Sequence, residues 1–345
     1  MVARTLGILP DQTPFYEKVV TGLLPGALML LLISTRVTSL FKIGKMSLVT
    51  MLVGSLGIVL GGPLTLFCFR SLLPKDAWMG FGTLAGSWIG GSINMAALKE
   101  AIGTPSDLFS PMVFVDSMIA YGWMAVLLSL APHQAAFDRW NRSRRDLLDE
   151  TDKKLKALSQ KNETSLTTTK YFFMLFGVAL AGTLLTFFLS KLIPPMGAFL
   201  TQKAILVLVA TTLAITLSLT PLSRLEEAGA SRMGTFLLYL MLTAIGAQAD
   251  LKGLAHFPIF VLVGAVWVLI HGVILFAFGR IFRIPLFFLA TASQANIGGV
   301  VSAPIVAACY EKRLAPVGLL LAIFGNLTGT FLGLLSAHLM RLVSV

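Results

Sequence analysis

"GSWIGGSINM", residues 86–95, lies inside a long apolar run and decides how the chain folds. Gly86, Gly90 and Gly91 are poor helix formers, each costing about 1 kcal/mol against Ala. Ser87, Ser92 and Asn94 are polar groups that hydrocarbon rejects unless they find partners. Flexibility and polarity collected at one depth of an apolar segment mark a place where a helix opens.

Composition sets the surroundings. Of 345 residues, 56% are hydrophobic and 12% charged, against about 25% charged in soluble domains. Ten apolar stretches lie near 19–35, 46–69, 77–98, 109–130, 170–193, 201–221, 233–249, 257–279, 285–309 and 315–340. Stretches of about 20 residues match the thickness of a bilayer core. The expected fold is an all-α polytopic membrane protein of about ten segments, in contact with lipid. A membrane β-barrel would show short alternating segments instead.

The net charge of +11 does not point to nucleic acid. The basic residues lie mostly between apolar stretches, as positive-inside loops do, and no basic-plus-aromatic soluble module is present. Cys68 and Cys309 sit in apolar segments without metal-ligand spacing and read as small hydrophobes. The opening "MVARTLGILPDQTPFY" lacks the apolar core of a cleavable signal.

Residues 131–169 are polar and mixed in charge. They read as a solvated cytoplasmic linker, helical in its middle, where Asp149–Lys153 and Asp152–Lys156 are i,i+4 pairs. The linker divides the chain into a first repeat, 15–130, connecting or panel helices, 170–231, and a second repeat, 232–340. Gly62 and Gly272 lie 210 residues apart, as do Asp116 and Asn326, and Lys42 and Lys252; Gly90-Gly91 and Gly298-Gly299 lie 208 apart. A common register indicates duplication. Segments 170–193 and 201–221 have no counterpart in the first half, so about two N-terminal helices are expected to be missing from the chain as given. If every segment crosses, the repeats run parallel; if the two Gly-rich segments re-enter, the repeats are inverted, as in many ion-coupled transporters.

The counterpart of the opening stretch is "LATASQANIGGVVSAPIVAA", residues 289–308, with Gly298, Gly299 and Pro304. Both Gly-rich stretches are expected to be discontinuous helices. Broken backbone at membrane depth is tolerated only against protein or a water-filled cavity. Unwound carbonyls bind cations and half-helix N-termini bind anions. Packing accounts for Gly and Ser; it accounts poorly for Asn94, Gln294 and Asn296. The candidate substrate or ion ligands are Ser87, Ser92, Asn94, Asp116, Ser293, Gln294, Asn296, Asn326 and Thr328. Asp116 is the sharpest of these, the one acid of sixteen that lies deep in an apolar segment. With Asn94 and Asn296 it outlines a candidate Na⁺ or H⁺ site; no other metal or cofactor is expected. His271, alone on an apolar helix, reads as a packing residue. Lys99-Glu100 and Glu311-Lys312-Arg313 mark the ends of the two Gly-rich segments.

On "GSWIGGSINMAALKEA", "ASQANIGG" and "GAQADL", the chain resembles the membrane family known as domain of unknown function 819. The resemblance spans nearly all of 15–340 and extends to the group of cation:proton antiporters, bile-acid symporters and sodium:glutamate symporters. It implies two structural repeats and a core domain with two discontinuous helices that cross, moving against a panel domain. It places Asp116 and Asn326 beside the crossing and leaves room for a homodimer. The chain departs from the antiporters' paired acidic motif: Val115 precedes Asp116 and no second acid follows.

The function expected from these residues is ion-coupled secondary transport of a small solute by alternating access in a bacterial inner membrane. A Na⁺/H⁺ antiporter is the alternative. There is no Walker-type phosphate loop and no H-E-x-x-H, so an enzyme is not expected. A channel ranks below a transporter.

Overall fold

The computed structural model describes residues 14–33, 35, 40, 43–159, 169–197, 199–248 and 257–344. Lys42, Lys252, residues 1–13 and the end of "GAQADL" lie outside these residues. The described chain is helical: α1 (Pro14–Ile33), α2 (Lys45–Phe69), α3 (Ala77–Ile102), α4 (Ser106–Leu130), α5 (Gln134–Asn141), α6 (Asp146–Ser159), α7 (Thr169–Lys191), α8 (Gln202–Ser218), α9 (Ala230–Gln248), α10 (Phe257–Phe282), α11 (Leu286–Ile297), α12 (Gly299–Tyr310) and α13 (Ala315–Ser344). Among the described residues there is no strand, only an isolated bridge between Met196 and Leu200.

Seven described helices are long and apolar enough to cross a membrane: α1, α2, α4 with α5, α7, α9, α10 and α13 with the turn before it. α8, α11 and α12 are apolar but shorter. The chain is thus an all-helical polytopic membrane protein. α1 packs with α7, α8 and α9, while α2, α3, α4 and α10–α13 form a second group. A small apolar cluster of Leu30, Ile33, Leu175, Ala179, Leu225 and Ala230 lies within the first group and the turn that leads into α9.

α3 folds back on itself. The backbone leaves helical geometry at Gly90 (φ −138°, ψ 15°) and Gly91 (φ 75°, ψ −178°). Gly91 takes the left-handed φ that costs a side chain about 1–2 kcal/mol. A straight helix would hold residues 79 and 104 about 38 Å apart along its axis. Here the Thr104 hydroxyl donates to the Met79 carbonyl at 3.3 Å. A Cβ on Gly86 would lie 3.0 Å from the Asn94 carbonyl oxygen, and one on Gly82 3.1 Å from Ile102 Cδ1. The segment is a helical hairpin with its tip at Gly90-Gly91 and both feet at one end of the bundle.

α11 and α12 make a second hairpin. Gly298 ends α11 and Gly299 begins α12 with φ 62°. Gln294 Nε2 donates to Ser302 Oγ at 2.8 Å, although eight residues of straight helix would span about 12 Å. Its feet lie at the opposite end of the bundle, where Leu286 and Arg313 both meet the α5–α6 segment. The helices implied by the resemblance to cross therefore turn back instead, because one glycine in each tip reverses the chain.

The first hairpin is held by close approach to α13. A Cβ on Gly82 would lie 2.7 Å from Ala337 Cβ, one on Gly333 3.0 Å from Gly86 Cα, and one on Gly329 2.6 Å from Gly90 Cα. Positions rise by four along α3 as they fall by four along α13, so the two helices are antiparallel through a seam of small residues. Without a hydrophobic drive between helices in lipid, such seams supply association through packing. Gly82, Gly86 and Gly90 are thus packing residues; only Gly91 must bend the chain.

Residues 131–169 are not simply solvated. Asn141 is fully buried, and Leu147, Leu148 and Leu155 join an apolar cluster with Ile43, Leu127 and Phe288. Lys156 pairs with Asp152 at 2.8 Å, while Asp149 reaches Arg313 at 2.9 Å.

The seam makes a direct prediction. Gly329→Val pushes its side chain against the Gly90 backbone, which cannot give, and overpacking of this kind costs about 1–3 kcal/mol. Gly122→Ala enters open space on α4 and should be neutral or slightly stabilising. Thermal unfolding in detergent should show a lower midpoint for the first alone; equal midpoints would refute the seam.

Candidate functional site

The two hairpins pack against each other within the bundle, α11 and α12 against α3. A hairpin tip exposes the last carbonyls of one helix and the first amides of the next, so each tip carries both signs of helix dipole. Side chains of three long helices surround the tips, and their polar groups divide into those that hold the tips and those that have spare bonding capacity.

Asn94 belongs to the first kind. Its Nδ2 donates to the Gly90 carbonyl at 2.6 Å and to the Asn326 carbonyl at 3.1 Å. Its Oδ1 accepts from Thr330 Oγ1 at 2.5 Å, and Thr330 Oγ1 lies 3.4 Å from Thr211 Oγ1. The amide expected to face a ligand caps the first tip and ties it to α13. Asn326 approaches the tip through its side chain too, since a Cβ on Gly91 would lie 3.3 Å from its Oδ1. Thr328 bonds within its own helix, to the Gly325 carbonyl at 3.2 Å. Ser92 is exposed at the tip.

Asp116 belongs to the second kind. Ser87 Oγ, one turn before the first tip, donates to its Oδ2 at 2.8 Å. Oδ1 is buried and has no hydrogen-bond partner. The Trp88 indole N–H is turned toward the same carboxylate but falls outside hydrogen-bonding geometry. Trp88 also packs on Trp267 with ring centroids 4.7 Å apart.

The second tip carries two more spare acceptors. Gln294 Nε2 is engaged by Ser302 Oγ and, at 3.4 Å, by the Ala120 carbonyl, while Oε1 is unpartnered. Asn296 Nδ2 donates to Ser55 Oγ at 2.9 Å, and its Oδ1 is unpartnered. Both residues are fully buried. Buried polar atoms are normally satisfied, so unmet acceptors at one depth mark capacity for a donor or a cation.

Ser293 sits in a directed chain. A carbonyl only accepts, so the 2.9 Å contact between His271 Nδ1 and the Gly54 oxygen fixes Nδ1 as the protonated nitrogen of a neutral ring. Nε2 then accepts from Ser293 Oγ–H at 2.9 Å, and Ser293 Oγ accepts from Trp123 Nε1–H at 2.8 Å. His271, taken from the sequence as packing, joins α2 to α11 and fixes the serine hydroxyl. Trp123 was not singled out by the sequence either. The available signal was its spacing: Asp116, Ala120 and Trp123 stand at i, i+4 and i+7 on α4, one face of a helix. That face serves Ser87 in the first hairpin and Ser293 and Gln294 in the second.

The three residues of the candidate Na⁺ site do not share a partner. Asp116 bonds to Ser87, Asn296 to Ser55, and the Asn94 amide is taken on both its nitrogen and its oxygen. Among the described residues no cluster of three or more His, Cys, Asp or Glu side chains could hold a metal ion.

A family model described as "Protein of unknown function (DUF819)" matches residues 1–343. A relative from Bacillus subtilis (strain 168), described as the uncharacterized membrane protein YjcL, is 28% identical over 352 residues, covering 96% of this chain and 86% of that protein.

The two roles of polar residues at the tips predict different responses to truncation. Asn94→Ala removes the side-chain bonds to the Gly90 and Asn326 carbonyls and to the Thr330 hydroxyl, a loss of about 1–3 kcal/mol. Ser92→Ala, at an exposed position, should leave stability unchanged. Denaturation midpoints of the two variants measure the difference, and equal losses would sink the capping role of Asn94.

Proposed function

The chain belongs to the DUF819 family of proteins of unknown function, and from that premise we propose that it is an ion-coupled secondary active transporter of a small solute. The observation that carries this reading is the pair of opposed hairpins, which pack against each other among buried acceptors without partners. Irregular backbone at that depth is typical of a transport site at the junction of structural repeats. The order of elements supports an inverted repeat: a long helix, a hairpin and a long helix in α2–α3–α4, then again in α10, α11–α12 and α13. The hairpins enter from opposite ends, as inversion requires. The helices α1, α7, α8 and α9 would serve as the panel against which the hairpin group moves. The Lys- and Arg-rich α5–α6 segment is assigned to the cytoplasmic face of a bacterial inner membrane.

The spare atoms bear on the substrate. Asp116 Oδ1, Gln294 Oε1 and Asn296 Oδ1 are all acceptors, and one carries formal charge. Such a set fits one monovalent cation or a proton with a solute that offers N–H or O–H groups. The coupling-ion set is accordingly redrawn around Asp116, with Gln294 and Asn296 on the solute side. A serine hydrolase is not favoured, because Ser293 Oγ is 3% exposed as a residue and capped by Trp123.

Two measurements test the reading. Thermal stability of purified protein across ions, amino acids and carboxylates should reveal a ligand, since binding at 100 times Kd adds about 2.7 kcal/mol. In proteoliposomes, Asp116→Asn should remain folded and lose gradient-driven uptake of that ligand; unchanged uptake with unchanged ion dependence would remove Asp116 from the mechanism. The lone acid also favours a second reading, a Na⁺/H⁺ antiporter. Proton efflux on adding Na⁺ or Li⁺ in the absence of organic solute would select it.

A further inference from the structure

The α5–α6 segment grips the second hairpin in two chemically different ways. At the α11 foot the bonds are buried and directed at backbone. Asp138 Oδ1 accepts from the Leu286 amide at 3.0 Å, capping α11, which has no cap from its own Pro285. Asn141 Nδ2 donates to the Gly279 and Ile284 carbonyls, both at 3.1 Å. The Arg144 amide donates to the Arg283 carbonyl at 2.8 Å. The Asp138 side chain is 1% exposed.

At the α12 foot the bonds are ionic, with Asp149 open to solvent and Asp152 buried beneath the arginine. Arg313 Nη2 meets Asp149 Oδ1 at 2.9 Å and Nη1 meets Asp152 Oδ2 at 3.2 Å, with the arginine side chain 45% exposed. Between the two grips the chain turns at Arg142, in left-handed geometry (φ 52°), through residues 142–145. α6 forms one wall of a groove of about 280 Å³ against the start of α2, lined by Lys45, Ser47, Val49, Leu147 and Thr151 and floored by Phe288 of α11.

We propose that α6 is a salt-releasable strap, hinged on the anchored α5 and held against the start of α2 by the Arg313 pairs. Exposed ion pairs weaken with ionic strength, whereas buried hydrogen bonds to backbone do not. Leu147, Leu148 and Leu155 on the covered face re-close the strap after release. The groups facing the ionic end are Lys156, Asp149, Glu311 and Arg313 itself. Its Lys156 hydrogen bond, and after it the Arg313 charge, hold the Asp152 carboxyl below its ordinary value. A carboxyl depressed in the folded state contributes above its unfolded pKa of about 3.9 and loses that contribution as pH falls through the lower value. The contribution of Asp152 to the strap is therefore constant from pH 8 down to about 4 and is lost below that range.

Hydrogen–deuterium exchange on the full chain in nanodiscs tests this. Raising salt from 0.05 to 1 M should speed exchange in residues 146–156 about three- to ten-fold while residues 134–141 keep their protection. Arg313→Ala should reproduce the fast rate at low salt and abolish the salt response. Arg313→Lys, which keeps the charge, should retain slow exchange at low salt and its salt dependence. Joint loosening of 134–141 and 146–156, or no salt response in wild type, would overturn the strap.

Discussion

The seam between α3 and α13 is the constraint on which the rest depends. A hairpin that turns back within the bundle must place two helical legs and a partner helix in the space of ordinary helix packing. That is feasible only if the contact faces carry almost no side chain. Gly82, Gly86 and Gly90 on one helix and Gly329, Gly333 and Ala337 on the other meet that requirement. With the first leg fixed there, the tip at Gly91 falls beside Asn326, and Asn94 caps it from the returning leg.

The polar groups then divide according to what the backbone leaves open. The first tip spends its amide on the Gly90 carbonyl freed by its own turn and on the Asn326 carbonyl of α13, because lipid offers no water to satisfy a buried carbonyl. The second tip is held through side chains of α2 and α4, by Ser55 and Trp123, and keeps two amide oxygens unspent. α4 is the common wall. Its Asp116, Ala120 and Trp123 face both hairpins, so a shift of one hairpin relative to α4 changes the environment of the carboxylate directly.

Much of this was legible in the chain. The apolar stretches fall on the helices, and the paired glycines at 90–91 and 298–299 fall on the two tips. Asp116 was legible because an acid in hydrocarbon is costly wherever it lies. Other features left no local signal. Two of the three partners of Asn94 are 232 and 236 residues away, and nothing at position 94 distinguishes an amide that caps a tip from one that awaits a ligand. Asp138, Asn141 and Arg313 look like ordinary loop polarity until α11 and α12 return to the same end of the bundle. Trp123 looks like an interfacial anchor until Ser293 is brought to it.

The sequence by itself determined the class of protein and the depth at which polarity is spent, because transfer from water to hydrocarbon acts residue by residue. It also determined where the chain could break, since glycine permits left-handed geometry that other residues resist. Only the tertiary structure decided that the broken segments turn back, because a permissive φ allows either a kink or a reversal. Contacts such as Thr104 with Met79 and Gly86 with Asn94 select the reversal. Which polar atoms remain free is likewise a property of the assembled bundle, fixed by partners that lie hundreds of residues apart.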